Sequence, residues 1–154
     1  MTTTRATAVD KSSGDEARPV VDVSTLAVRD GEDPWTTDEL DEVRATLNQD
    51  IERFAHQVEV SEAELVGLLH DGNEGAGRDS ADVGSANFER DAEISLANNA
   101  REMLDQSRLA VRHIERGTYG QCDNCGQPIG KGRLMVFPRA TLCVTCKQRE
   151  ERRS

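Results

Sequence analysis

Apolar residues recur in steps of three or four along two long stretches of this chain, and the residues between them are mostly charged or polar. The first stripe runs Leu40, Val43, Leu47, Ile51, Phe54, Val58, Leu65 and Leu68, broken only around Ser61 and Glu62. The second runs Phe88, Ala92, Leu96, Ala100, Met103, Ser107, Ala110 and Ile114, flanked by Leu104 and Val111. Steps of this size place side chains on one face of an α-helix. The first helix has a start signal: Thr36 and Glu39 are spaced as a capping box, and Trp35 can pack on Leu40 as a hydrophobic staple. The second has a stop signal, with Arg112, His113 and Arg116 suited to the negative helix end and Gly117 to the left-handed position beyond it. Between them His70-Asp-Gly-Asn-Glu-Gly-Ala-Gly77 concentrates glycine, which costs a helix about 1 kcal/mol per residue relative to alanine. Two helices of about thirty residues, each ~45 Å long, joined by this turn predict an antiparallel coiled-coil hairpin over residues 35–117 with its tip near 71–84. A compact bundle would need a third or fourth helical face, and only two strong helices are visible.

Composition supports an elongated shape. Aromatic residues are 3% of the 154 and charged residues 31%, poor material for a thick globular core. Residues 1–34 are rich in Thr, Ser, Asp and Arg and are expected to be a disordered tail, although the apolar patch Val20, Val21, Val23, Leu26 and Val28 offers a way to dock on the folded part. The net charge of −10 is unevenly spread, for residues 131–154 carry seven Lys or Arg against two Glu. The acidic remainder repels phosphate backbones and favours a protein partner with a basic surface. No apolar run is long enough to span a bilayer, and Met1 to Pro19 holds no apolar signal core, so a cytoplasmic protein is expected.

The cysteines bring the candidate chemistry. All four lie near the C-terminus, as Cys122-Asp-Asn-Cys125 and Cys143-Val-Thr-Cys146, with seventeen residues between the inner pair. Thiolates two residues apart on a turn reach one tetrahedral ion together, and the intervening loop brings the second pair in from the other side. Two disulfides are the competing arrangement, but nothing suggests export to an oxidising compartment. One structural zinc is therefore expected, in a finger with a short terminal helix over residues 118–154. Four protein ligands leave no open position for water or substrate, so this site is expected to fold protein rather than catalyse.

These residues carry a resemblance to a known family. Gly120-Gln-Cys122-Asp-Asn-Cys125-Gly126, then Ile129, Arg133-Leu134, Pro138, Ala140 and Leu142-Cys143-Val-Thr-Cys146-Lys147 resemble the DksA/TraR four-cysteine zinc finger proteins, of an actinobacterial type. With the upstream hairpin the resemblance covers roughly residues 36 to 150. It implies a bacterial transcription regulator that binds RNA polymerase directly, inserting its coiled-coil tip into the secondary channel through which nucleotides reach the active site, without binding promoter DNA. Active members place two aspartates three apart at the tip, followed two positions later by alanine; here Asp79-Ser-Ala-Asp82-Val-Gly84 keeps both acids and has glycine for the alanine. In some members guanosine tetraphosphate sits between finger and polymerase. The residue before Pro138, where a basic side chain serves that ligand, is Phe137 here, which weighs against a nucleotide response.

Each assignment has a plainer counterpart. Asp79 suits the N-cap of the second helix and Asp82 its positive end, a role compatible with exposure at a tip. Arg133, Arg139 and Lys147 are candidates to contact polymerase or a phosphate-rich ligand, or to be solvated cations complementing a helix dipole. The alternative function is a zinc finger module that binds nucleic acid, or a different protein, through its basic C-terminal face. No glycine-rich phosphate loop, no Ser/His/Asp set and no open metal site supports an enzyme.

Overall fold

The computed structural model describes residues 20–73, 77 and 79–154, so part of the expected tip, residues 74–76 and 78, and residues 1–19 of the expected tail lie outside it. The described chain is mainly helical and holds no strand. A short 3-10 turn, Val23–Thr25, precedes two long helices, α1 (Thr37–Asn73) and α2 (Ser80–Arg116), of 37 residues each. Two short helices follow, α3 (Lys131–Val136) and α4 (Val144–Glu151). At 1.5 Å per residue α1 and α2 are each about 55 Å long, longer than the glycine cluster suggests. α1 runs on through His70 to Asn73, and Gly77 takes the positive φ of 117° that the turn requires.

Both expected end signals operate. The Thr36 N–H donates to Glu39 Oε2 at 3.0 Å and the Glu39 N–H to Thr36 Oγ1 at 3.2 Å, a reciprocal capping box, while Trp35 and Leu40 are buried in one cluster. At the far end Gly117 sits at φ 71°, and the Thr118 N–H closes back on the His113 carbonyl at 2.9 Å.

α1 and α2 pack along each other antiparallel, as the ion pair from Glu62 to Arg101 shows, 39 residues apart in sequence. The α1 stripe faces inward as expected. Leu40, Val43 and Leu47 are buried and Ile51, Phe54, Val58, Leu65 and Leu68 half-buried, while buried Ser61 fills the break in the pattern. The α2 stripe is only half as expected. Ala100, Ser107, Ala110 and Ile114 are buried and Met103 half-buried, but Phe88, Ala92 and Leu96 are exposed. Ala97 is buried, and Ala86, Arg90 and Glu93 are half-buried, so these four form the distal seam instead. The reason is geometric. Four residues turn about 400°, so each step of four drifts some 40° around the helix, and three such steps from Ala100 back to Phe88 leave the seam. Contact between two helices needs alternating threes and fours, which 86, 90, 93, 97, 100, 104 and 107 supply.

Residues 20–34, part of the expected tail, are packed on the folded part, as their apolar patch allows. Leu26 is buried, Val21, Val23 and Val28 pack against the same cluster, and the segment crosses the finger as a strap. The Glu32 carboxylate accepts from the Lys131 N–H at 2.8 Å and the Gly132 N–H at 3.4 Å, capping α3 from outside because the N-cap, Gly130, has no side chain. These amides, with that of Arg29, hold the Glu32 carboxyl below its usual range, that of Lys131 first among them. Lys131 Nζ reaches Glu39 at 2.7 Å and the Pro34 carbonyl at 3.1 Å, over the Trp35 ring.

One hydrophobic cluster joins strap, hairpin base and finger. Leu26, Trp35, Leu40, Val43 and Leu47 meet Ala110 and Ile114 of α2 and Tyr119, Ile129, Leu134 and Cys146 of the finger. The Trp35 and Tyr119 rings lie 5.7 Å apart, and the Tyr119 hydroxyl donates to the Pro138 carbonyl at 2.8 Å. Gly120, at φ 95°, lets the strap lie close, because a Cβ there would stand 2.8 Å from the Ala27 carbonyl oxygen.

Two predictions test this packing. Leu104→Ala, at a buried seam position, is expected to lower stability by about 2 to 5 kcal/mol, whereas Leu96→Ala on the exposed face stays within about 0.5 kcal/mol, both read from thermal or urea unfolding. Gly120→Ala is expected to cost about 1 to 3 kcal/mol through strain and to loosen the strap, seen as faster proteolysis within residues 20–34.

Candidate metal centre and hairpin tip

The first cysteine pair sits on a knuckle made by backbone hydrogen bonds. The Cys122 N–H donates to the Gln127 carbonyl at 2.8 Å, the Gly126 N–H to the Cys122 carbonyl at 2.8 Å, and the Ile129 N–H to the Gly120 carbonyl at 2.8 Å. Gly126, at φ 72°, makes the turn after Cys125 possible. The second pair uses a helix start, with Cys143 at the N-cap of α4 and Cys146 in its first turn, where the helix dipole favours thiolate. The Asp123 N–H donates to the Thr141 carbonyl at 2.9 Å and ties one half to the other.

The four sulfur atoms lie within 4.8 Å of one another. Cys125 Sγ and Cys143 Sγ are 3.8 Å apart, which is about the edge of a tetrahedron with the usual ~2.3 Å zinc–sulfur bond. The cysteines are not disulfide-bonded. Burial opposes ionisation of Cys122, but the N–H groups of Cys143, Cys125 and Asn124 outweigh it and bring that thiol down to about 6. At Cys146 the Asn124 hydrogen bond favours the thiolate, yet the neighbouring cysteines prevail and push the group up to about 12. Four thiols this close cannot all ionise alone, and a dication at their centre removes the conflict. The donor set fits one structural zinc.

Sequence reasoning missed His113 as part of this site. Half-buried at the end of α2, it places Nδ1 2.8 Å from Thr118 Oγ1 and Nε2 3.1 Å from Asp123 Oδ1, linking the long helix to the first knuckle. A lone histidine near a helix end carries no sequence signal for such a bridge.

The other candidates divide. Arg133, Arg139 and Lys147 come together around one cleft of about 230 Å³ between α2 and the finger. Glu102 and Glu150 line it too, and the cations are already engaged: Arg139 pairs with Asp50 at 3.7 Å and covers the Phe54 ring, Lys147 pairs with Glu150 at 3.0 Å, and Arg133 lies over Phe137. Phe137 is 52% exposed. At the other end of the molecule Asp79 and Asp82 are both exposed, in the N-cap and first turn of α2. Asp79 makes no side-chain hydrogen bond to the helix backbone, so its carboxylate is not used up as a cap.

Purified protein is expected to hold one zinc per chain by atomic absorption. A chelator is then expected to release it with loss of the finger while much of the helical circular dichroism remains, because the distal seam does not touch the finger. Disulfides in place of metal after reducing purification would contradict the site.

Comparison with known proteins agrees with this geometry. The family described as "Prokaryotic dksA/traR C4-type zinc finger" matches residues 117–152. The RNA polymerase-binding transcription factor DksA of Caulobacter vibrioides is 37% identical over 75 residues, covering 49% of this chain and 53% of that protein. Its namesake in Escherichia coli is 33% identical over 67 residues, covering 42% and 44%. These alignments span about half the length of the curated relatives. The solved structure of transcription factor DksA2 from Pseudomonas aeruginosa superposes with a TM-score of 0.58 at 31% identity, over 76% of this chain and 86% of that one. Long hairpin, four-sulfur site and this extended likeness place the chain in the DksA/TraR family of C4-type zinc finger proteins.

Proposed function

We propose that this protein regulates transcription by binding RNA polymerase directly, with the hairpin tip in the secondary channel and Asp79 and Asp82 facing basic or polar groups near the active centre. Family membership supports this, as do relatives named RNA polymerase-binding transcription factors. The observation that carries it is the tip: two carboxylates exposed at the end of a ~55 Å arm, the first of them free of any capping bond to the helix. Charged groups held this way bias a polymerase intermediate through local electrostatics rather than through buried area. The acidic body makes promoter DNA an unfavourable partner, and the proposed setting is the cytoplasm.

The finger supplies the second contact. Arg133, Arg139 and Lys147 face polymerase from their cleft, with exposed Phe137 adding an apolar element. Two carboxylates in that cleft and the existing ion pairs weigh against guanosine tetraphosphate as its ligand.

Asp79→Asn with Asp82→Asn tests the role of the tip. Asparagine caps a helix about as well as aspartate, so fold and zinc content are expected to stay unchanged. On a promoter with a short-lived open complex, purified holoenzyme is expected to respond to the wild-type chain and at least several-fold less to the variant, with polymerase affinity only modestly reduced. Equal responses would make both aspartates structural.

A further inference from the structure

The distal hairpin leaves an apolar groove uncovered. It is lined by Gly67, Leu68, Phe88 and Ala92 together with the carboxylates of Glu64, Asp71, Glu89 and Glu93, and its volume is about 530 Å³. No Lys, Arg or His lines it among the described residues. Phe88 is 76% exposed and Leu96, on the same flank of α2, 49%. Val66, Leu69 and Ile94 are exposed on the same arm, but here apolar exposure is gathered at a cleft, which marks an interaction site. Glycine in a helix interior weakens it, yet Gly67 stands here with open space where a Cβ would be, deepening the groove. Glu93 adds an electrostatic demand, because its Oε1 is closed off from solvent without a hydrogen-bond partner among the described residues.

We propose that this groove is a docking site for a basic amphipathic helix of a protein partner, separate from the aspartates of the tip. The groove lies between two antiparallel helices, so a third helix laid along it fits its shape, with apolar side chains at i, i+3, i+4 and i+7 against its apolar lining and flanking Lys or Arg beside Glu64 and Glu89. Charge selects this occupant. A second copy of the groove would bring the same four acids face to face, and anionic lipid or nucleic acid would meet the same repulsion.

The test uses the zinc-loaded full chain and three fluorescein-labelled 18-residue probes. One is an amphipathic Leu/Lys helix, the second replaces each Lys by Glu, and the third scrambles the first at constant composition. The first is expected to bind at least tenfold more tightly than the other two by fluorescence anisotropy. Ala92→Gln, which fills the groove, and Glu64→Gln with Glu89→Gln, which removes two of its charges, are each expected to weaken that binding at least tenfold with unchanged circular dichroism. Asp79→Asn with Asp82→Asn is expected to leave it unchanged. Equal binding of the first and scrambled peptides would mean charge attraction alone and overturn the proposal. Insensitivity to Ala92→Gln would do the same, as would sedimentation showing a wild-type dimer that Ala92→Gln dissolves, since a second copy would then own the groove.

Discussion

Everything in this molecule depends on the junction where Trp35, Leu47, Ile114, Tyr119 and Leu134 pack together. Two helices alone present only a narrow seam to each other, and here part of that seam is Ala97, Ala100, Ser107 and Ala110, small side chains that bury little area apiece. The base supplies what the seam lacks. α1, α2, the strap and the finger converge there, and the finger's own structure is fixed by four sulfurs around one ion. Zinc is thus a remote support of the arm: it shapes the surface that Leu47 and Ile114 are buried against.

Away from that junction the balance reverses. The seam takes in Arg90 and Glu93, half-buried, while Phe88 and Leu96 turn outward. A half-polar seam with apolar flanks holds the two helices to each other while leaving apolar surface for a partner to cover. Chemistry is in this sense graded along the arm, from a closed hydrophobic base, through a groove lined by apolar and acidic side chains, to exposed carboxylates at the tip. That gradient suits a protein anchored at one end that acts at the other.

Much of this was legible in the sequence wherever the determining interactions are local. The capping box at Thr36 and Glu39, the left-handed Gly117 and the paired Cys-x-x-Cys turns each involve residues within five positions of one another, and each is found in place. What was hidden depends on distance in sequence. The strap reads as tail because Leu26 and Glu32 matter only once Gly120, Gly130 and Lys131 stand beside them, about a hundred residues away. The distal face of α2 was misjudged for another reason: Phe88, Ala92 and Leu96 look like a core stripe until the drift of four-residue steps is followed around the helix. His113 gave no sign of its approach to Asp123, since nothing in its own neighbourhood marks the first knuckle as near.

The central claim is that the hairpin works inside RNA polymerase with its tip toward the active centre. A cryo-electron microscopy reconstruction of the zinc-loaded chain with purified host polymerase tests it most directly. The account predicts helical-hairpin density in the secondary channel, with the start of α2 at Asp79 and Asp82 innermost and the finger at the channel mouth. Density for the chain on any other face of the enzyme, or a hairpin pointing outward with the finger innermost, would contradict it.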